Sequence, residues 1–415
     1  MSNLLDKASI ILTPTAYNNG EALCVKPSDG SGDFDFSRNS AATRVNAQGL
    51  VENVQILSSN LVQNPSFSEE GVQEVSNGSF SQEGSELITN GDFSSDTDWT
   101  KGTGWSIGGG TANCDGTQTS NSSLRSQTFV VGSNPTLKLT FDVVNYSSGL
   151  LAAGITGTGQ ADITNINANG TYSVIVVSST GNRLVDFVAD ADFIGSIENC
   201  SVREVGQDWN LGSGWSIAED KAVATNSASG QKLRQAGQLT ASKTYKLVYE
   251  VTELTLGGFL PIVGAVQGTA VYSIGTYTEY ITTTNDDFYI RTLGTTSGSI
   301  TNISVKEVGM DWVLFSGWSI GNDKVVGDGT AFTDVSQTPI LIQNKKVKLT
   351  FDVLDYVSGT FRIPPSDRQD GLDERFSGNG SYEVIYTSTV PYFRFQQQAL
   401  AGSITNISVI EITTD

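Results

Sequence analysis

Two sets of side chains in this 415-residue chain have the types and spacing to do chemistry, and the chemistry is recognition. The first is a loop between Arg362 and Arg375 that crowds Arg362, Asp367, Arg368, Asp373 and Arg375 together. The matching stretches elsewhere in the chain are nearly uncharged. A guanidinium forms paired hydrogen bonds to a sugar carboxylate or to vicinal hydroxyls, so these five are candidate glycan-binding residues. The competing reading is a solvated loop or a subunit contact, because surface ion pairs contribute little by themselves. The second set is the tryptophans. All six lie in one signature used three times: Asp98-Trp99 with Trp105, Asp208-Trp209 with Trp215, and Asp311-Trp312 with Trp318. An indole face can stack on the C–H face of a pyranose, and it can equally plug the end of a core. Trp105, Trp215 and Trp318 read as core. For Trp99, Trp209 and Trp312 both readings stand.

Other chemistry is missing from the residue list. The chain has no histidine, which removes Ser-His-Asp and Cys-His catalysis and histidine-ligated metals. Its three cysteines, Cys24, Cys114 and Cys200, match no zinc or redox spacing. Cys114 and Cys200 sit near the two ends of one repeat, so a disulfide between them is open. No pair of acids stands out as a glycosidase couple. Gly154 to Gly159 is a turn with no helix after it, so it is not a phosphate loop. The expectation is a non-enzyme with no cofactor. A formal charge of −20 repels nucleic acid and anionic lipid, and neither is an expected partner. No stretch is long and apolar enough to span a membrane as a helix. The run from Met1 to Thr13 does not read as an export signal.

What positions these residues is a repeat of whole domains. The signature returns about every hundred residues, far longer than a solenoid period. After it each copy carries the same strongly alternating strand: Leu137 to Val143, Tyr245 to Val251 and Val347 to Val353. A Gly-aromatic strand follows at Gly170-Thr171-Tyr172, Gly275-Thr276-Tyr277 and Gly380-Ser381-Tyr382. Each copy closes on an alternating strand, Gly195 to Val205, Gly298 to Val308 and Gly402 to Ile412. Period-two patterning with regular turns and no sustained helical period predicts two-sheet sandwiches.

The predicted fold class is all-β: an N-terminal attachment segment and then three tandem jelly-roll sandwiches. The boundaries are residues 1–60 for the segment, 61–85 for a linker, and 86–206, 207–309 and 310–415 for the repeats. The linker holds echoes of one start strand, Asn64-Pro65-Ser66-Phe67 and Asn77-Gly78-Ser79-Phe80. The third echo, Asn90-Gly91-Asp92-Phe93, leads into the first repeat. On this reading the second and third sandwiches are short of one strand. The first sixty residues are too few for a large core and read as a docking element.

Two resemblances carry these residues further. The Asn90-Gly91-Asp92-Phe93 start, the Trp-bearing turn, the Gly170-Thr171-Tyr172 strand and the closing Ile-x-Asn-hydrophobe-Ser-Val strand resemble the galactose-binding-like, jelly-roll carbohydrate-binding modules of polysaccharide hydrolases. That resemblance implies sugar binding. A structural calcium also belongs to the family pattern, but Glu198, Thr301 and Thr405 stand where the family often carries Asp, which leaves the ion unsupported. The run Phe36-Ser37-Arg38-Asn39-Ser40-Ala41-Ala42-Thr43-Arg44-Val45 resembles the starts of tailed-bacteriophage virion proteins. It implies an attachment segment in which Phe36, Arg38 and Arg44 meet other virion proteins. Together they imply a virion fibre or appendage, assembled in the host cytoplasm as a homo-oligomer, a trimer by analogy with such fibres, and facing a host surface glycan. The alternative is a non-catalytic polysaccharide-binding chain of a bacterial surface or secreted system.

Overall fold

A computed structural model describes residues 58–413 except 133–134, 157–162, 179 and 342. Before residue 58 it describes only the short strands Tyr17–Asn18, Glu21–Ala22, Phe34–Asp35, Thr43–Val45, Val51–Asn53 and Gln55–Ile56. The chain divides into two compact units. One is Met1–Ser66, Asp311–Trp318 and Val326–Asp415; the other is Phe67–Met310 and Ser319–Val325. The described residues are almost wholly β, with a single short 3-10 turn at Pro365–Asp367, as the patterning predicts.

The first sandwich shows the plan most plainly. One five-stranded sheet runs in the order Gly170–Val177, Thr136–Ser148, Ile194–Val205, Thr111–Asp115, Trp105–Gly108. The other runs Ile163–Ile166, Leu151–Ile155, Val185–Ala189, Ser122–Ser126, Trp99–Lys101. Alternation does the sorting. In Thr136–Ser148 the side chains of Leu137, Leu139, Phe141 and Val143 are buried, while Lys138, Thr140 and Asp142 face outward. Phe141 meets Phe187 of the opposite sheet edge-to-face at 4.9 Å, a favoured aromatic geometry. In the second and third sandwiches the corresponding strands are longer. Thr244–Val263 and Phe288–Val308, and then Lys346–Arg362 and Phe393–Thr413, each pass from one sheet into the other through β-bulges. Bulges of this kind bend a strand without ending it.

One bulge recurs in all three copies and explains the Asn of the closing strand. Asn199, Asn302 and Asn406 each have φ of 53°, the left-handed region that Asn tolerates. Their amides donate to the carboxylates of Asp142, Glu250 and Asp352 at 2.8, 2.9 and 2.7 Å. A hydroxyl on the neighbouring strand, Thr171 or Ser381, donates to the same acid in the first and third copies.

The stretch between residues 61 and 85 is not a linker, and the later sandwiches are not short of a strand. Three leads lie end to end from this stretch through Phe93, thirteen residues apart at Asn64, Asn77 and Asn90, and each completes a different sandwich. Lead 3 serves the first: the Trp99 indole donates to the Asn90 carbonyl at 2.9 Å, and Cys200 N donates to Gly91 O at 2.8 Å. Lead 2 serves the second: Trp209 donates to Asn77 O at 3.0 Å, and Ile303 N to Gly78 O at 2.9 Å. Lead 1 serves the third: Trp312 donates to Asn64 O at 3.1 Å, and Ile407 N to Pro65 O at 3.0 Å. The side chains of Glu86, Gln73 and Asn60 accept the amides of Val202, Val305 and Val409 in the same way. Lead order is thus the reverse of sandwich order. A strand read locally is assigned to the next domain along the chain, and only the last lead obeys that rule.

Both buried cysteines of the first sandwich, Cys114 and Cys200, carry free thiols. Burial pushes both thiols up in pKa.

Candidate functional site

The third sandwich carries a sheet face unlike its counterparts. Strand pairing lays Asp334 beside Gln396, Gln396 beside Arg362, and Arg362 beside Arg375. Behind this polar row Val335, Phe395, Phe361 and Phe376 are buried. The Phe361 ring lies 5.1 Å from Phe395 and 5.4 Å from Phe376, a stiff aromatic backing. The outer side chains therefore project from a surface with little room to move.

Arg362 sits at the centre. Its Nε and Nη2 both donate to Gln396 Oε1, at 3.1 and 2.8 Å, and its Nη1 donates to Asp373 Oδ1 at 2.7 Å. Arg375 holds the other oxygen of Asp373 at 2.7 Å. The hydrogen bonds from Arg362 and then Arg375 hold the Asp373 carboxyl below its ordinary range. The Arg362 guanidinium carbon lies 5.8 Å from the ring centre of Phe332, within cation–π reach. Phe332 is 59% exposed, and Phe315, whose amide donates to the Asp334 carbonyl, is 52% exposed. Two open aromatic rings, a fixed guanidinium, a side-chain amide and a carboxylate make a surface suited to a ring with hydroxyls on one edge and C–H bonds on its face.

The remaining loop residues build the frame. Asp367 and Arg368 are buried, at 3% and 4% exposure. Asp367 takes two hydrogen bonds from Arg394, at 2.7 and 3.0 Å, and the third Arg394 contact goes to Asp334 at 2.7 Å. These bonds, the Asp367 pair foremost, hold the Arg394 guanidinium above even the ordinary arginine range. Arg368 grips Asp370 through Nε and Nη2 at 2.9 Å each and Glu374 through Nη1 at 3.0 Å. As glycan ligands Asp367 and Arg368 are corrected: burial and full pairing commit them to shaping the loop. Arg362, Asp373 and Arg375 remain on the surface.

The three open tryptophans are corrected too. Trp99, Trp209 and Trp312 are 7%, 8% and 7% exposed, and each indole N–H is spent on a lead carbonyl. Their rings pack inward, Trp99 on Phe93 at 5.0 Å and Trp209 on Phe80 at 5.1 Å, so they offer no platform to a sugar. Trp105, Trp215 and Trp318 are buried as the core reading has it. Of the attachment residues, Phe36 and Arg38 lie outside the described residues. Arg44 lies in the strand Thr43–Val45 opposite Glu52, and its side chain is outside the described set.

Two residues of the face escaped the sequence reading. Phe315 stands where the signature has Gly102 and Gly212, and Phe332 stands where the other copies have Asn121 and Gly230. Aligning the three copies column by column exposes both. The equivalent face of the first sandwich offers an Arg125–Asp186 ion pair, and that of the second Arg234–Asp287 with Lys232 over Tyr289 at 4.1 Å.

Two further places bear on chemistry. A cleft of about 700 Å³ is lined by Pro135, Val177, Glu204, Asp208, Leu211 and Trp215. Its Gln207 amide is turned onto Glu204 O at 2.7 Å, which leaves few convergent donors. Among the described residues no three His, Cys, Asp or Glu side chains group to hold a metal ion, and no helix is long and apolar enough to cross a membrane. At the columns set against a family calcium, Thr301 donates to the Asp220 carbonyl at 2.7 Å.

No known protein family matches the chain, and no curated protein matches it. Several solved structures are similar to parts of the chain at low identity. One is the N-terminal CBM22-1–CBM22-2 tandem domain of Xyn10C from Paenibacillus barcinonensis, 9% identical over 55% of this chain and 98% of that one, with a TM-score of 0.19. Others are the GH2 β-galacturonidase of Eisenbergiella tayi bound to galacturonate, 12% identical over 45% of this chain and 35% of that one, TM-score 0.17, and bound to glycerol, 12% identical over 51% and 39%, TM-score 0.17. The chain thus spans little more than a third of that enzyme. At such TM-scores the likeness carries no argument about function.

Proposed function

We propose that this is a non-catalytic, adhesive structural protein whose third sandwich binds a glycan through the face around Arg362. The observation that carries it is the joint presence of Phe315, Phe332 and the Arg362–Asp373–Gln396 cluster at one sheet face, in one copy of three. Exposed phenyl rings cost solubility and are worth keeping where a ligand covers them. The acids of this face favour binding over hydrolysis. A glycosidase acid needs a raised pKa, whereas Arg362 and Arg375 hold Asp373 low. The setting we favour is a bacteriophage virion, in the head or the tail, with the first sixty residues attached to other virion proteins and the chain as a homotrimer. That part rests on the Phe36 to Val45 resemblance alone. The alternative, a polysaccharide-binding chain of a bacterial surface or secreted system, shares the glycan face and differs in the anchor.

The test is a glycan array with the full-length protein, followed by titration calorimetry on each hit. Phe332→Ala and Arg362→Ala should each weaken binding about tenfold or more, with melting unchanged in the other sandwiches. Binding that survives both substitutions refutes the site. Mass spectrometry of purified virions, against culture supernatant and cell surface, separates the two settings.

A further inference from the structure

The three leads are so alike that their shared residues cannot tell the sandwiches apart. Val62, Val75 and Ile88 match, as do Asn64, Asn77 and Asn90, and Phe67, Phe80 and Phe93. Every one of these nine side chains is buried except those of Asn77 and Asn90, which are half-buried. Each sandwich answers with the same tryptophan. Lead 3 runs straight into the first sandwich, so connectivity places it. Nothing in the shared contacts distinguishes lead 1 from lead 2.

A charged position does. On the second sandwich Lys246 and Lys306 stand directly opposite each other on paired strands, a like-charge pair that destabilises a sheet unless something lies between. Glu70 of lead 2 lies between, 2.7 Å from Lys246 and 2.9 Å from Lys306. The first sandwich repeats this with Lys138 opposite Arg203 and Glu83 of lead 3 at 2.7 and 3.9 Å. The third sandwich breaks the pattern. Lys348 faces Ile410, and Lys348 is matched by Glu383 of its own neighbouring strand at 2.7 Å. Where Glu70 pairs with Val308 of the second sandwich, Ile56 pairs with the corresponding Ile412 of the third, so lead 1 has no acid there.

We propose that this position is a matching code: an acidic lead residue selects a sandwich with two opposed bases, and its absence directs lead 1 to the sandwich where one base is replaced by Ile410. A lead without the acid would leave Lys246 and Lys306 unscreened. Exposed ion pairs are weak singly, but two leads competing for two grooves need only a small difference, because a preference of about fivefold already sorts most molecules.

The experiment uses the full chain with its cysteines changed to serine. A Gln73→Cys, Ser304→Cys pair, whose native side chains touch at 3.2 Å, reports lead 2 on the second sandwich through a short thiol crosslinker. An Asn60→Cys, Ser304→Cys pair reports lead 1 there instead. In the parent the first crosslink should form and the second should not. Exchanging the code, Ile56→Glu with Glu70→Ile, should lower the first about fivefold or more and make the second appear. An unchanged first crosslink overturns the proposal and leaves chain order as the only selector. Where the exchanged chain fails to fold, a milder pair decides. Glu70→Leu alone should loosen amide protection across Ile303 to Val308, and Glu70→Leu with Lys306→Ile should restore it. A double variant no better protected than the single one also overturns the code.

Discussion

Truncating Phe80 is the sharpest check on lead assignment, because its effect should appear far away in the sequence. The ring is 1% exposed and lies tilted at 5.1 Å against Trp209, whose indole donates to the Asn77 carbonyl in the same lead. Trp209 in turn meets Phe288 edge-to-face at 6.2 Å. Phe80→Ala removes the ring and leaves a cavity against Trp209, a change that costs about 3–5 kcal/mol in comparable cores. At about 1.4 kcal/mol per tenfold, amide exchange in Thr244–Val263 and Phe288–Val308 should speed by about two orders of magnitude or more. The first sandwich should respond far less. Phe93→Ala is the mirror experiment: Phe93 is fully buried on Trp99 at 5.0 Å, and its loss should loosen Thr136–Ser148 and Ile194–Val205 instead. Hydrogen exchange read by mass spectrometry resolves these strands. If Phe80→Ala loosened the first sandwich and spared the second, the reversed assignment would be wrong.

Three further outcomes follow from geometry already described. A Cβ on Gly91 would meet Cys200 O at 1.9 Å, whereas one on Gly108 meets nothing within 4 Å; Gly91→Ala should unfold the first sandwich in a thermal scan, and Gly108→Ala should melt within about a degree or two of the parent. Hydrogen bonds from Lys246 and Lys306 hold Glu70 below the usual carboxylate range, and those from Ser381 and Asn406 do the same for Asp352. A lowered folded pKa adds stability above the unfolded value that vanishes as pH falls through the folded one, so Tm should hold from about pH 7 to 5 and decline below about pH 4; a Tm that rises on acidification contradicts this. Cys114 and Cys200 are 3% and 5% exposed, and in a Cys24→Ser variant a maleimide should label neither until denaturant is added, so rapid labelling of the native protein would count against their burial.

The sandwiches were legible in the sequence because alternation, turn residues and a recurring signature all act over short distances. The leads were only half legible. Their likeness was visible in Asn64, Asn77 and Asn90, but the partners of the first two lie far along the chain, and no local period reports a long-range antiparallel pairing. The tryptophans misled for a related reason. Whether an indole is a platform or a plug depends on what covers it, and for Trp209 and Trp312 the cover arrives from a distant lead. In the charged loop, residue types announced recognition but not which side chains were frame. Only the depth of Asp367 and Arg368 against Arg394, Asp370 and Glu374 separates them from Arg362 and Arg375.

The reversed order of leads also sets a schedule for synthesis. All three leads leave the ribosome before any sandwich does. The first sandwich can close as soon as its last strand appears, the second only after that, and the third last of all. Ser58, whose hydroxyl accepts the Glu411 amide, is 353 residues ahead of it. At about 5–20 residues per second that separation amounts to roughly 20–70 s. For that interval the earliest-made lead has no partner, and the first lead to emerge is the last to be used, a stack emptied from the top. An apolar strand edge held open that long is an aggregation hazard. Val62 and Phe67, buried in the finished fold, stay uncovered until the final strand arrives.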